Sequence, residues 1–113
     1  MIEREVVVSA QFAAFHQWDT APMQFAYLRN RHRHLFKVRA WAKVSHNDRD
    51  IEFIDLKTRL QKHAHLYYES MFLNNMSCEA IAEDILEKFD ELYKVEVMED
   101  GENGAILTRK EQQ

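Results

Sequence analysis

Two runs of alternating apolar side chains bound what this chain can fold into. Val6, Val8, Ala10, Phe12, Ala14 and His16 occupy every second position, and so do His32, His34, Phe36, Val38, Ala40, Ala42 and Val44, with Arg33, Lys37, Arg39 and Lys43 between them. Side chains alternate across a strand, so each run predicts a long strand with one buried face. The stretch 17–31 keeps neither period and holds the lone Pro22, which predicts a long loop or distorted hairpin connection. After a polar turn at 45–50, Phe53, Leu56, Leu60, Ala64 and Tyr67 recur at helical spacing. Ser77 is a good N-cap for a second helix, with Glu79, Glu83 and Asp84 toward the positive end of its dipole and Ile81, Ile85, Phe89 and Leu92 as its buried stripe. Tyr93, Val95, Val97 and Glu99 alternate as a third strand, the glycine-bearing turn DGENG follows, and Ala105–Thr108 returns as a fourth.

The order strand-strand-helix-helix-strand-strand, with hairpin-sized links inside each strand pair, predicts an α+β fold: a four-stranded antiparallel sheet with two helices on one face. The 113 residues carry no internal repeat and no shift of composition, so 1–113 reads as one domain. Its formal charge is −4, which gives no support to binding of nucleic acid or an anionic membrane. Charge is nevertheless unevenly spread. Arg29 to Lys43 holds six basic residues and no acidic one, whereas Glu79 to Glu102 holds ten acidic residues against two lysines, so one patch suits anions. A single cysteine, Cys78, excludes an internal disulfide and points to a reducing, cytoplasmic setting. No stretch approaches the ~18 apolar residues of a membrane span, and no export segment is expected.

His32 and His34 are one residue apart on a strand, so their imidazoles project from the same face, and His16 ends the same parity of the preceding strand. If the strands are neighbours, three neutral imidazoles can meet around zinc and leave a fourth position open. A basic strand end beside a hydrogen-bonded core histidine fits the same residues, and spacing alone does not separate the two readings.

The segments FAAFH, RHRHLFKVRAWAKV, FIDLKTRL, FLNNMSCEAIA and VEVMED, in that order and spacing, resemble the 6-pyruvoyl-tetrahydropterin synthase family and its bacterial branch, the 6-carboxytetrahydropterin synthases. The match runs from about Val6 to Leu107. The resemblance implies the tunnelling fold, whose sheets join into a barrel in homotrimers or stacked homohexamers. It implies zinc on His16, His32 and His34. It also implies that Glu99 anchors the aminopyrimidine edge of a pterin or purine-like small molecule, a contact in which two carboxylate oxygens meet adjacent N–H donors. The implied activity is that of a carbon–oxygen lyase on 7,8-dihydroneopterin triphosphate or a close relative, in tetrahydropterin or queuosine biosynthesis. Arg29, Arg31, Arg33 and Lys37 are candidate triphosphate contacts, with a solvated basic strand as the alternative.

Four positions depart from the family pattern. Arg33 replaces the glycine of the usual His-Gly-His. Leu28 stands where the catalytic cysteine lies, four residues before the histidine pair, and has no proton to exchange. The Asp-His dyad before the Leu-Asn motif reads Glu69 and Ser70 ahead of Leu73 and Asn74, so Glu69 keeps a carboxylate while Ser70 cannot act as an imidazole base. Glu69 is the remaining candidate catalytic residue. Cys78 at a helix start, Tyr27 beside Leu28, and His63 or His65 are possible substitutes, although the two histidines read first as solvent-facing. A second function therefore stands beside the lyase: a family member that keeps zinc and the pterin pocket as a binding or regulatory module.

Overall fold

The computed structural model describes residues 1–69 and 72–110. Strand β1 (Arg4–His16) pairs antiparallel with β2 (His32–Val44), β2 with β3 (Lys94–Glu99), and β3 with β4 (Asn103–Thr108), giving the sheet order β1-β2-β3-β4. The even positions of β1 and β2 and the odd positions of β3 form the buried face. On it Val8, Phe12, Phe36, Val38, Val95 and Val97 pack in one core with Leu56 and Leu60 of α1 (Phe53–Ala64) and Ile81 and Ile85 of α2 (Cys78–Lys88). The fold is therefore α+β, with the helices lying outside an antiparallel sheet. Among the described residues no helix is long and apolar enough to cross a membrane.

Two local features differ from the periodic reading. The connection 17–31 contains a kinked 3-10 helix, Met23–Arg29, and Trp18 stacks on Phe25 within it. At the other end of α1 the chain widens into a π-helical turn, His65–Glu69. Adding a residue to the turn moves the inward position on by one, so Tyr68 is buried at 2% exposure while the expected Tyr67 is 58% exposed. Phe53 is likewise exposed, because it occupies the first turn of α1.

The Ser77 hydroxyl caps α2 by accepting from the Ala80 amide, as expected. The helix ends at Lys88, yet Phe89 and Leu92 beyond it remain buried. In the β3–β4 turn both Asp100 and Gly101 take positive φ. Gly104 follows, where an added Cβ would lie 1.9 Å from the Val97 carbonyl oxygen, so β4 approaches β3 as closely as only glycine allows.

Candidate metal centre

Register places the histidines together. His16 is directly opposite His32 in the β1–β2 ladder, and His34 follows two residues on, opposite Ala14. Glu99 ends β3 opposite Phe36, so its side chain reaches the same end of the same sheet face. The three rings pack edge to face, with centroids 4.5 Å apart for His16–His32, 5.2 Å for His16–His34 and 5.0 Å for His32–His34. One ligand atom from each of His16, His32, His34 and Glu99 falls within 4.8 Å of every other, and among the described residues this is the cluster able to hold a metal ion.

Each ring is fixed through its other nitrogen. His16 Nδ1 lies 2.9 Å from the Met76 carbonyl oxygen, His32 Nδ1 lies 2.7 Å from the Asn30 carbonyl oxygen, and His34 Nδ1 lies 2.7 Å from Asp100 Oδ2. All three partners are acceptors, so each Nδ1 carries the proton and, in a neutral ring, each Nε2 presents a bare lone pair. The Met76 carbonyl is itself set in place by the Leu-Asn segment. The Leu73 amide donates to the Phe15 carbonyl, the Gln17 amide donates to the Asn74 carbonyl, and Asn74 takes the left-handed φ of 56° that turns the chain back under His16.

Asp100 was not foreseen from the sequence. Its Oδ1 accepts the Leu35 amide at 2.9 Å while Oδ2 holds His34, and its own amide donates to the Leu35 carbonyl. The His34 contact first, and the Leu35 amide next, hold its carboxyl below the usual carboxylate range. With the folded value depressed, this contact is present above the ordinary carboxylate pKa and is lost only as pH falls through the lower folded value. Asp100→Asn should weaken metal binding about 10- to 100-fold, the usual effect of removing a carboxylate behind a ligating histidine. Competition against a chelator of known affinity measures this, and unchanged affinity would deprive Asp100 of that role.

The cluster opens into a pocket of about 500 Å³ lined by Trp18, Leu28, Met76, Cys78, Glu79 and Gly104 as well as the four candidate ligands. That volume suits a small heterocyclic ligand. Leu28 lines the same pocket as the three histidines and presents an isobutyl group to it. Cys78 also lines the pocket, but burial, then the charges of Glu99 and Glu79, push its thiol up to about 12, so its place at a helix start does not activate it.

The other candidates lie elsewhere in the single chain. Glu69 sits on the π-helical turn, 3.0 Å from His65 Nδ1, and does not line the pocket; Ser70 lies outside the described residues. His65 is exposed as expected, but His63 is buried among Tyr68, Phe89 and Asp84, with Nε2 3.1 Å from Asp84 Oδ2. The longer turn that buries Tyr68 also brings its hydroxyl to Asp84 at 2.5 Å, and a polar trio between the helices results. Tyr27 is exposed. Arg29 donates to the Ala21 carbonyl, Arg31 lies over the rings of Phe15 and Phe72, and Arg33 and Lys37 fall on the opposite sheet face; none of the four lines the pocket.

No family model matches the chain, and no curated protein matches it. Among solved structures it is similar to an uncharacterized protein from Wolinella succinogenes, with a TM-score of 0.82 and 12% identity over 97% of this chain and 100% of that one. At that identity the likeness shows the fold alone.

Proposed function

We propose that this chain is a zinc-dependent pterin protein of the 6-pyruvoyl-tetrahydropterin synthase type, a carbon–oxygen lyase on 7,8-dihydroneopterin triphosphate or a close relative. The observation that carries the reading is the convergence of three histidine nitrogens whose partner nitrogens are all tied to acceptors. His16 Nε2 is buried, lies 3.0 Å from Glu99 Oε2 and makes no hydrogen bond, so it is a buried lone pair without a hydrogen-bond partner. A cation satisfies that atom. His16, His32 and His34 would hold the metal, and zinc bound there supplies Lewis-acid polarisation of a substrate oxygen.

The chain's own residues do the rest. Glu99, 30% exposed at the pocket floor, offers its carboxylate to the adjacent N–H groups of an aminopyrimidine. Trp18, Leu28 and Met76 supply apolar walls that exclude water from a flat ring. The open edges of β1 and β4 suit closure of the sheet into a homotrimeric or homohexameric tunnelling-fold barrel, which would cover them.

A second reading, a module that binds the pterin without turning it over, is favoured by a specific observation. Within the chain, the pocket places Leu28 and an unactivated Cys78 where proton transfer needs an acid or base. One experiment separates the two: calorimetry and turnover on the same zinc-loaded sample with dihydroneopterin triphosphate. Turnover at ~1 to 10³ s⁻¹ supports the lyase. Binding without turnover selects the module, and absence of both zinc and pterin binding overturns the proposal.

A further inference from the structure

We infer that Glu99 is a fourth metal ligand, so that the centre rests as a closed site of three histidines and one carboxylate, and any ligand that reaches the metal must first displace Glu99. The inference rests on the metal centre proposed above and changes what that centre does before a small molecule arrives.

The distances carry it. Glu99 Oε2 lies 3.0 Å from His16 Nε2 and 3.1 Å from His34 Nε2. Donors bonded at about 2.0–2.1 Å to one tetrahedral zinc stand roughly 3.3 Å apart, so this oxygen already sits close to a coordination position. Proton placement points the same way. His16 and His34 spend their ring N–H groups on Met76 and Asp100, which leaves two nitrogen lone pairs facing a carboxylate lone pair. Three acceptors at that separation repel unless positive charge lies among them. His16 Nε2 is moreover buried and makes no hydrogen bond. A metal ion placed among the donors serves all of them.

The backbone also holds the carboxylate there. Glu99 is the last paired residue of β3, and the next amide, that of Asp100, donates to the Leu35 carbonyl at 2.7 Å. The same side chain is the pocket's carboxylate for an aminopyrimidine edge, so metal and heterocycle compete for it. A pterin that takes Glu99 thereby frees a coordination position for its own oxygen.

The test compares wild type, Glu99→Gln and Glu99→Ala without any pterin present. Zinc affinity should fall about 10²-fold or more in Glu99→Ala and by a smaller factor in Glu99→Gln. The cobalt-loaded wild type should keep its visible spectrum when azide is added, whereas cobalt-loaded Glu99→Ala, with a position opened, should shift. Because the azide response is read on metal-loaded protein, it does not depend on an unchanged apo fold. Equal zinc affinity in all three proteins, or an azide response already present in the wild type, would overturn the fourth-ligand assignment and leave a three-histidine centre standing. A wild type that binds neither zinc nor cobalt would instead overturn the metal centre itself.

Discussion

Phe36→Ala should destabilise the domain by about 3–5 kcal/mol, the cost of emptying a fully enclosed aromatic site in a packed core. Phe36 has 0% exposure on the inner strand β2 and stacks on Phe12 with centroids 5.1 Å apart and planes 11° from parallel. Its ring edge also meets His16 at 5.3 Å and His34 at 5.8 Å, so it forms the floor beneath two candidate ligands. For a domain near this size, 1 kcal/mol shifts Tm by roughly 4–8 °C, and a fall of about 15 °C or more is expected. Urea unfolding should show a lower midpoint with unchanged slope. Ile85→Ala is the control, since Ile85 is equally enclosed but lies on α2 outside the metal pocket. It should cost about 2–5 kcal/mol and leave the metal affinity of the folded protein as it was. A loss below about 1 kcal/mol for Phe36→Ala would mean that the surrounding rings collapse into the gap, contrary to the packing described.

His32→Ala should abolish most of the stabilisation that zinc confers. Zinc binding at structural sites is worth about 10–16 kcal/mol, so each of four donors supplies about 3 kcal/mol, or roughly 10²-fold in affinity. At a free zinc concentration of 1,000 times the wild-type Kd, zinc adds about 4.1 kcal/mol to wild-type stability and about 1.4 kcal/mol to the variant. The difference is about 2.7 kcal/mol, or roughly 10 °C or more in the zinc-dependent part of Tm. His32 is the appropriate position because it is only half-buried and its ring rests on a backbone carbonyl in the exposed Asn30 turn. His16, by contrast, is 8% exposed, and its removal would open a cavity and strip the Met76 carbonyl of its partner. Melting curves of both proteins with and without zinc decide the matter; equal zinc-induced shifts would remove His32 from the centre.

Strand period was legible because a half-buried strand writes its two faces into alternate residues, and both long strands fall within a residue of the alternating stretches 5–16 and 32–44. Helix α2 was legible from its cap and stripe, since Ser77 is a local signal that needs no tertiary partner. Helix α1 was legible only as far as Ala64. The π-helical turn shifts the following residues by one, and nothing in HLYYE distinguishes a buried Tyr67 from a buried Tyr68 before the core is assembled.

For the site, parity in the sequence was enough to put His16, His32 and His34 on one face, and Glu99 on the inward parity of its own strand. Register and connection length lie outside such local patterns, because cross-strand partners are separated by a loop whose geometry periodicity does not encode. The tertiary structure decided that His16 stands opposite His32, that Glu99 arrives within 3.1 Å of two imidazoles, and that Met76, Asn30 and Asp100 set the proton on each ring. It also decided that Cys78 is buried beside two carboxylates and that Glu69 and the basic run of β2 stay out of this chain's pocket. The alternation of residues along a strand fixes which way a side chain points, but only the packing of distant segments sets what it meets there.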